Sequence, residues 1–162
     1  MQVCVMVTLV GSNGFLLYFS SEVCKNKNMF EDFDDAWLGA VLEKQGTIGI
    51  HQQAAARYYL RIVVTGKDEA WVRRVHEIAG VGKISHSGGG WCWVVTCSKA
   101  LIVLNRAMPY LKKRRDHVLV AREFYARGAC ACKRKGMSEA QRRVRYACYL
   151  AMKTLNRRAA SG

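Results

Sequence analysis

The sequence predicts an α+β domain in which an antiparallel sheet carries helices on one side and leaves its other side open. Three observations predict it. Two pairs of segments alternate apolar and polar residues with a period of two, the pattern of strands buried on one face only. Segments with an apolar stripe at helical spacing precede, separate and follow those pairs. Because each strand pair has one apolar and one polar face, the sheet reads as antiparallel and covered on a single side. The 162 residues, 51% of them hydrophobic, with 14 Gly and one Pro, suit one domain and argue against disorder or low complexity.

The organised part begins near Asp32. Asp34 and Asp35 are placed to cap a helix that runs through Trp37, Leu38 and Leu42 to Lys44 and stops at Gly46. From Thr47 the period becomes two, with Ile48 and Ile50 on one face and Thr47, His51 and Gln53 on the other. Arg57–Val64 repeats the pattern, with Leu60, Ile62 and Val64 inward and Arg57, Tyr59 and Arg61 outward. A helix from Asp68 to Ala79 follows, with Trp71, Val72, Val75 and Ile78 as its buried stripe, closed by Gly80-Val81-Gly82. Lys83–Ser87 and Trp91–Thr96 form a second strand pair across Gly88-Gly89-Gly90. Ser98–Leu111 reads as a helix with Leu101, Leu104 and Met108 aligned, and Lys112–Arg127 as a basic helix. The last helix opens with a capping box, Ser138 with Gln141, and carries an apolar stripe of Val144, Ala147, Cys148, Ala151, Met152 and Leu155.

Charge points to the ligand. The chain has 26 Lys+Arg against 12 Asp+Glu, a net +14. Met1–Leu111 holds eleven basic and nine acidic side chains, whereas Lys112–Gly162 holds fifteen and three, so the excess is C-terminal. That density favours nucleic acid over an anionic membrane surface. The open sheet face would present Arg57, Arg61, Lys83, Ser85, His51, Gln53 and Tyr59. A two-stranded ribbon fits the major groove, where Arg pairs with guanine and Gln with adenine. An ordinary solvated sheet face is the plainer account of any one of these residues; the cluster together with the charge argues for duplex DNA.

Seven cysteines, an odd number without a CxxC pair, suit reduced thiols in an intracellular compartment, be it cytoplasm, organelle or phage-infected host. Residues 1–30 read as a leader or an extra hairpin: Val3–Val10 and Phe15–Phe19 are apolar around the turn cluster Gly11–Gly14. No basic residue precedes this run, and it is too broken for a secretion signal and too short to span a bilayer. Residues 31–158 form the single domain.

Leu38-Gly39-Ala40-Val41-Leu42-Glu43-Lys44-Gln45-Gly46, after Trp37 and before Thr47-Ile48-Gly49-Ile50, resembles a diverged LAGLIDADG motif of the homing endonuclease family. Tyr59–Thr65, Ile78–Gly82, Trp93–Val95, Pro109–Arg114 and Leu155–Arg158 resemble family segments in the same order, so the resemblance covers about Asp34 to Arg158. It implies an αββαββα saddle over DNA, with the motif helix at a two-fold axis. One copy of the motif implies a homodimer reading a roughly palindromic site, with Gly39 and Ala40 in the seam between motif helices.

The resemblance also implies cleavage of both strands by Mg²⁺ held at the penultimate motif position, where hard cations need charged oxygen ligands. Gln45 stands there, and an amide brings no charge. Glu43, at the earlier acidic position, either substitutes as metal ligand or pairs with a cation such as Lys44 or Arg114. Arg114 falls where the family places a basic residue beside the scissile phosphate, Lys67 is a second candidate for that work, and Lys112, Lys113 and Arg115 would touch flanking phosphates. Three readings therefore stand: a homing endonuclease of intron or phage type, a DNA binder that has lost cleavage, and a maturase-like RNA binder.

Overall fold

The computed structural model describes residues 29–53, 57–127 and 137–160. Of the leader or extra hairpin expected over residues 1–30, only Met29 and Phe30 are described, as the start of a helix; the rest of it, and the cysteines Cys4, Cys24, Cys130 and Cys132, lie outside the described residues. Helix α1 spans Met29–Lys44, beginning before the Asp34–Asp35 pair that was expected to cap it. Glu31 and Asp32 occupy its first turn, where the helix dipole favours negative charge. Asp35 instead turns inward, only 1% exposed, and its Oδ1 accepts from Arg106 Nε at 2.8 Å. The same guanidinium donates to the carbonyls of Ala79 at 3.1 Å and Ile78 at 3.0 Å.

Strands β1 (Thr47–Gln53) and β2 (Arg57–Gly66) follow, then α2 (Glu69–Ala79), β3 (Lys83–Ser87) and β4 (Gly90–Thr96). Asp68 caps α2 by accepting from the Ala70 amide at 2.9 Å. The sheet order is β1-β2-β4-β3 with every neighbouring pair antiparallel. Gly90 belongs to β4, so only Gly88 and Gly89 form the β3–β4 turn. Their φ values of 62° and 88° are those of a type I′ turn, which glycine adopts without steric penalty.

Helix α3 (Cys97–Ala107) is shorter than its expected run to Leu111, because Pro109 has no N–H to continue the ladder; a 3₁₀ turn, Met108–Tyr110, takes over. Its fully buried stripe is Ala100, Val103, Leu104 and Ala107, with Leu101 and Met108 at the margins. Helix α4 (Arg115–Ala126) starts three positions later than Lys112, and the amides of Lys112–Arg114 ahead of it are taken by a carboxylate described below. Helix α5 (Glu139–Ala160) opens with the expected capping box: Ser138 N donates to Gln141 Oε1 at 3.0 Å, and Gln141 N to Ser138 Oγ at 3.2 Å. Its stripe is narrower than expected, with Cys148 and Met152 buried but Ala147 and Ala151 exposed.

Among the described residues the core lies on the helix side of the sheet. Ile48, Ile50, Leu60, Ile62, Val64, Trp93 and Val95 point into it and meet Leu38 and Leu42 of α1, Val72 and Val75 of α2, Leu104 of α3 and Phe124 of α4. Helix α5 runs beside the edge strand β1, where Asn156 Nδ2 donates to the Ile48 carbonyl at 2.9 Å. Asn156 Oδ1 lies 3.1 Å from His117 Nε2 on α4. Because Asn156 donates to a carbonyl, its oxygen is the acceptor toward His117, so Nε2 carries the imidazole proton. Nδ1 is then a buried acceptor with no hydrogen-bond partner among the described residues.

Candidate nucleic-acid interface and motif carboxylate

The period of two along β1 and β2 places alternate side chains on the face that, among the described residues, carries no helix. Register sets Gln53 opposite Arg57, His51 opposite Tyr59, and Gly49 opposite Arg61. Further along, Thr47, Val63, Val94 and Lys83 form one row across all four strands, and Thr65, Cys92 and Ser85 the next. All seven sheet residues expected at a DNA surface, His51, Gln53, Arg57, Tyr59, Arg61, Lys83 and Ser85, therefore share one face. Val63, Thr65, Cys92, Val94 and Thr96 share it too; continuing the period of two through β2 and β4 is the signal that finds them.

His51 lies over Gly49, where a Cβ would sit 3.1 Å from its Nε2, and its ring centroid is 5.8 Å from that of Tyr59. Burial lowers its pKa from the ordinary histidine value, and neighbouring Arg61 lowers it further, so at neutral pH the ring is an uncharged donor and acceptor. Beyond the β1 edge the face continues into a groove of about 610 Å³, where Thr47, Gly49 and His51 meet Tyr149, Lys153, Asn156 and Arg157 of α5. The basic C-terminal helix thus contributes to the rim of the open face.

Glu43 occupies the last turn of α1, where its own helix dipole disfavours a carboxylate. The fold answers that with main-chain donors. Oε1 accepts from Lys113 N at 2.7 Å, and Oε2 from Lys112 N at 3.2 Å and Arg114 N at 3.4 Å. These amides lead into α4, whose N-terminus is electropositive. Arg114 Nε returns a hydrogen bond to the Glu43 carbonyl at 3.1 Å. Burial lowers the Arg114 pKa from its ordinary value while the Glu43 carboxylate opposes that shift. Two duties were weighed for Glu43, metal ligation and pairing with a cation; in the structure its carboxylate clasps a loop backbone and acts on the charge of Arg114, whose Nε holds the Glu43 carbonyl.

Gln45 lies exposed in the turn between α1 and β1, its amide N–H donating to Val41 O at 2.9 Å. Glu43, Lys44, Lys113 and Arg114 line a cavity of about 430 Å³ with Asp116, His117, Leu155, Arg158 and Ala159. Lys67 is not among them; it lies with Gly88–Cys92 at a separate hollow of about 370 Å³. Within one chain the motif itself offers a divalent cation a single carboxylate, that of Glu43. Gln45 supplies no charge, both Glu43 oxygens are engaged by amides, and among the described residues no group of three or more His, Cys, Asp or Glu is arranged to hold a metal ion.

Gly39, expected in a seam between two subunits, is buried within the chain: a Cβ there would lie 2.7 Å from Tyr110 Cβ and 3.3 Å from Ala107 O. Its small size serves packing of α1 on the 3₁₀ turn. Ala40 is exposed, and Phe33, two turns earlier on the helix, is 70% exposed. Among the described residues no helix is long and apolar enough to cross a membrane.

No protein-family model and no curated protein sequence matches the chain. Solved structures do. An archaeal intron-encoded homing endonuclease, I-Vdi141I, complexed with DNA, superposes with a TM-score of 0.65 at 17% identity, over 77% of this chain and 85% of that one. The homing endonuclease I-CvuI, in complex with its target in the presence of calcium, gives 0.54 at 15% identity, over 78% and 98%. The LAGLIDADG homing endonuclease I-GzeII, in complex with a DNA target, gives 0.52 at 10% identity, over 75% of this chain and 43% of that one. At these identities the likeness is one of fold: the chain has the α+β architecture of the homing endonucleases.

Proposed function

We propose that this chain is a double-stranded DNA-binding protein of the LAGLIDADG homing endonuclease type, acting as a homodimer, in which metal-dependent strand cleavage has been lost. One observation carries the binding reading: the strand register gathers Gln53, Arg57, His51, Tyr59, Arg61, Ser85 and Lys83 on the face that no described helix covers. Arg57, Arg61 and Gln53 have the hydrogen-bonding geometry for guanine and adenine edges. Lys112, Lys113 and the cations of α5 supply sequence-independent phosphate contacts. A second copy docked through the outer face of α1, around Phe33 and Ala40, would place two such faces on one duplex and read a two-fold site. With DNA as its ligand, the protein would work inside a cell or organelle.

Loss of cleavage is favoured by Gln45 and by the engagement of Glu43 with the 112–114 amides. Selection from a random duplex library tests binding, symmetry and site length together. The selected duplex, cloned in a plasmid and incubated with protein and Mg²⁺ or Mn²⁺, should stay uncut, and its affinity should not change with chelator. Gln45→Asp or Gln45→Glu should restore some nicking. Efficient cutting by the unaltered protein would reject the loss of cleavage, and failure to enrich any duplex would reject DNA reading itself.

A further inference from the structure

Along the open face the chemistry changes from one end to the other. Where β1 ends and β2 begins, opposite residues are Gln53 with Arg57 and His51 with Tyr59, and Arg61 comes next. At the end beside the C-terminus of α1, Val63 and Val94 face each other across β2 and β4, with Thr47 outside Val63 and Lys83 outside Val94. Both valines are half-buried. Among the described residues, neither belongs to the core or to the hydrophobic residues packed against it.

We infer that Val63 and Val94 form a thymine-methyl reader, so that the DNA half-site requires a T·A pair at one defined distance from the positions read by Arg57 and Gln53. This rests on the DNA-binding reading above and specifies the substrate of the same face. Among the bases, thymine alone presents a methyl group in the major groove. A valine pair gains by covering that methyl and offers nothing to the exposed donors and acceptors of the other bases, which it would desolvate without a partner. Lys83, at the outer end of the row, is placed for the adjacent phosphate.

Spacing makes the inference specific. A strand rises ~3.4 Å per residue, close to the rise of one base pair in B-DNA. Six residues separate Arg57 from Val63 along β2, so the methyl-read position falls about six base pairs nearer the α1 end than the pair read by Arg57.

The test uses the full chain and the duplex it selects. The consensus should show T about six pairs inside the outermost specified purine. Replacing that thymine by deoxyuridine removes the methyl and nothing else; binding should weaken about fourfold, the value of one buried methyl group. Val63→Ala should bind the thymine and deoxyuridine duplexes alike, and Val63→Thr, which keeps the side-chain shape, provides a second variant should the first not fold. Equal affinity of the unaltered protein for the two duplexes, or a consensus G·C pair at that position, overturns the inference while leaving DNA binding intact. Absence of any enriched sequence overturns the DNA-binding reading and this inference with it.

Discussion

Glu43 and Arg114 hold each other through their main chains: a Glu43 carboxylate oxygen accepts the Arg114 amide at 3.4 Å, and Arg114 Nε donates to the Glu43 carbonyl at 3.1 Å. The end of α1 is thereby fastened to the start of α4. Removing the carboxylate with Glu43→Ala leaves three amides without their acceptor. Hydrogen bonds to a charged group are worth about 1.5–3 kcal/mol each when well shielded, and this site is partly open, so the total loss should be about 2 kcal/mol. Urea unfolding measures it, and amide exchange at Lys113 and Arg114 should accelerate. Unchanged stability and protection would show that the clasp contributes nothing.

Base contacts and phosphate contacts predict different signatures. Arg61→Ala should relax preference at one base pair, costing about 1–3 kcal/mol for the preferred base and little for the others. Lys113→Ala should weaken binding to all sequences alike and lower the salt dependence by about one unit of slope. Fluorescence anisotropy on the selected duplex and its single-base variants, at several salt concentrations, distinguishes them. Parallel behaviour of the two variants would remove the sheet from base reading.

Dimerisation is best probed at Ala40, because Gly39 has no room for a side chain against Tyr110 and its substitution would disturb the monomer. Ala40→Arg, alone or with Phe33→Asp, should shift sedimentation from dimer to monomer while circular dichroism stays unchanged. A dimer that survives both substitutions lies elsewhere than the outer face of α1.

His117 makes stability depend on pH. Burial lowers its pKa, opposed by the Asn156 hydrogen bond and furthered by Arg114. Because the folded pKa is below the unfolded value of about 6.5, the folded state binds fewer protons, and its stabilising contribution is complete above that value. Stability should therefore decline as pH falls below about 6.5. Replacing His117 by Gln, which keeps a donor toward Asn156, should flatten that part of the urea-midpoint profile between pH 7 and pH 5. An identical slope in the variant would assign the effect to other groups.

The alternation of Ile48 and Ile50, and of Leu60, Ile62 and Val64, made the sheet and its buried face legible, because period-two burial is written residue by residue. The same rule, carried to Val63 and Val94, reveals an apolar row within a face otherwise marked by its charges. Long-range partners were not legible. Asp35 resembles a capping residue until Arg106, distant in sequence, is brought beside it. Glu43 has the letter of a motif acid, yet its partners are backbone amides, which no side-chain pattern records. Gly39 has the size needed for a close helix approach; which neighbour approaches is decided by the chain's return through Tyr110.

A four-stranded sheet has two edges, and each offers backbone donors and acceptors to any other strand that drifts past. Asn156 engages the Ile48 carbonyl, with α5 lying alongside, which obstructs strand addition at β1. Among the described residues the opposite edge is β3, only five residues long and opening with a lysine. Growth of the sheet into a ribbon of many chains is thus opposed at one border by a helix and at the other by brevity and charge, and a substitution at Asn156 would reopen the longer of the two.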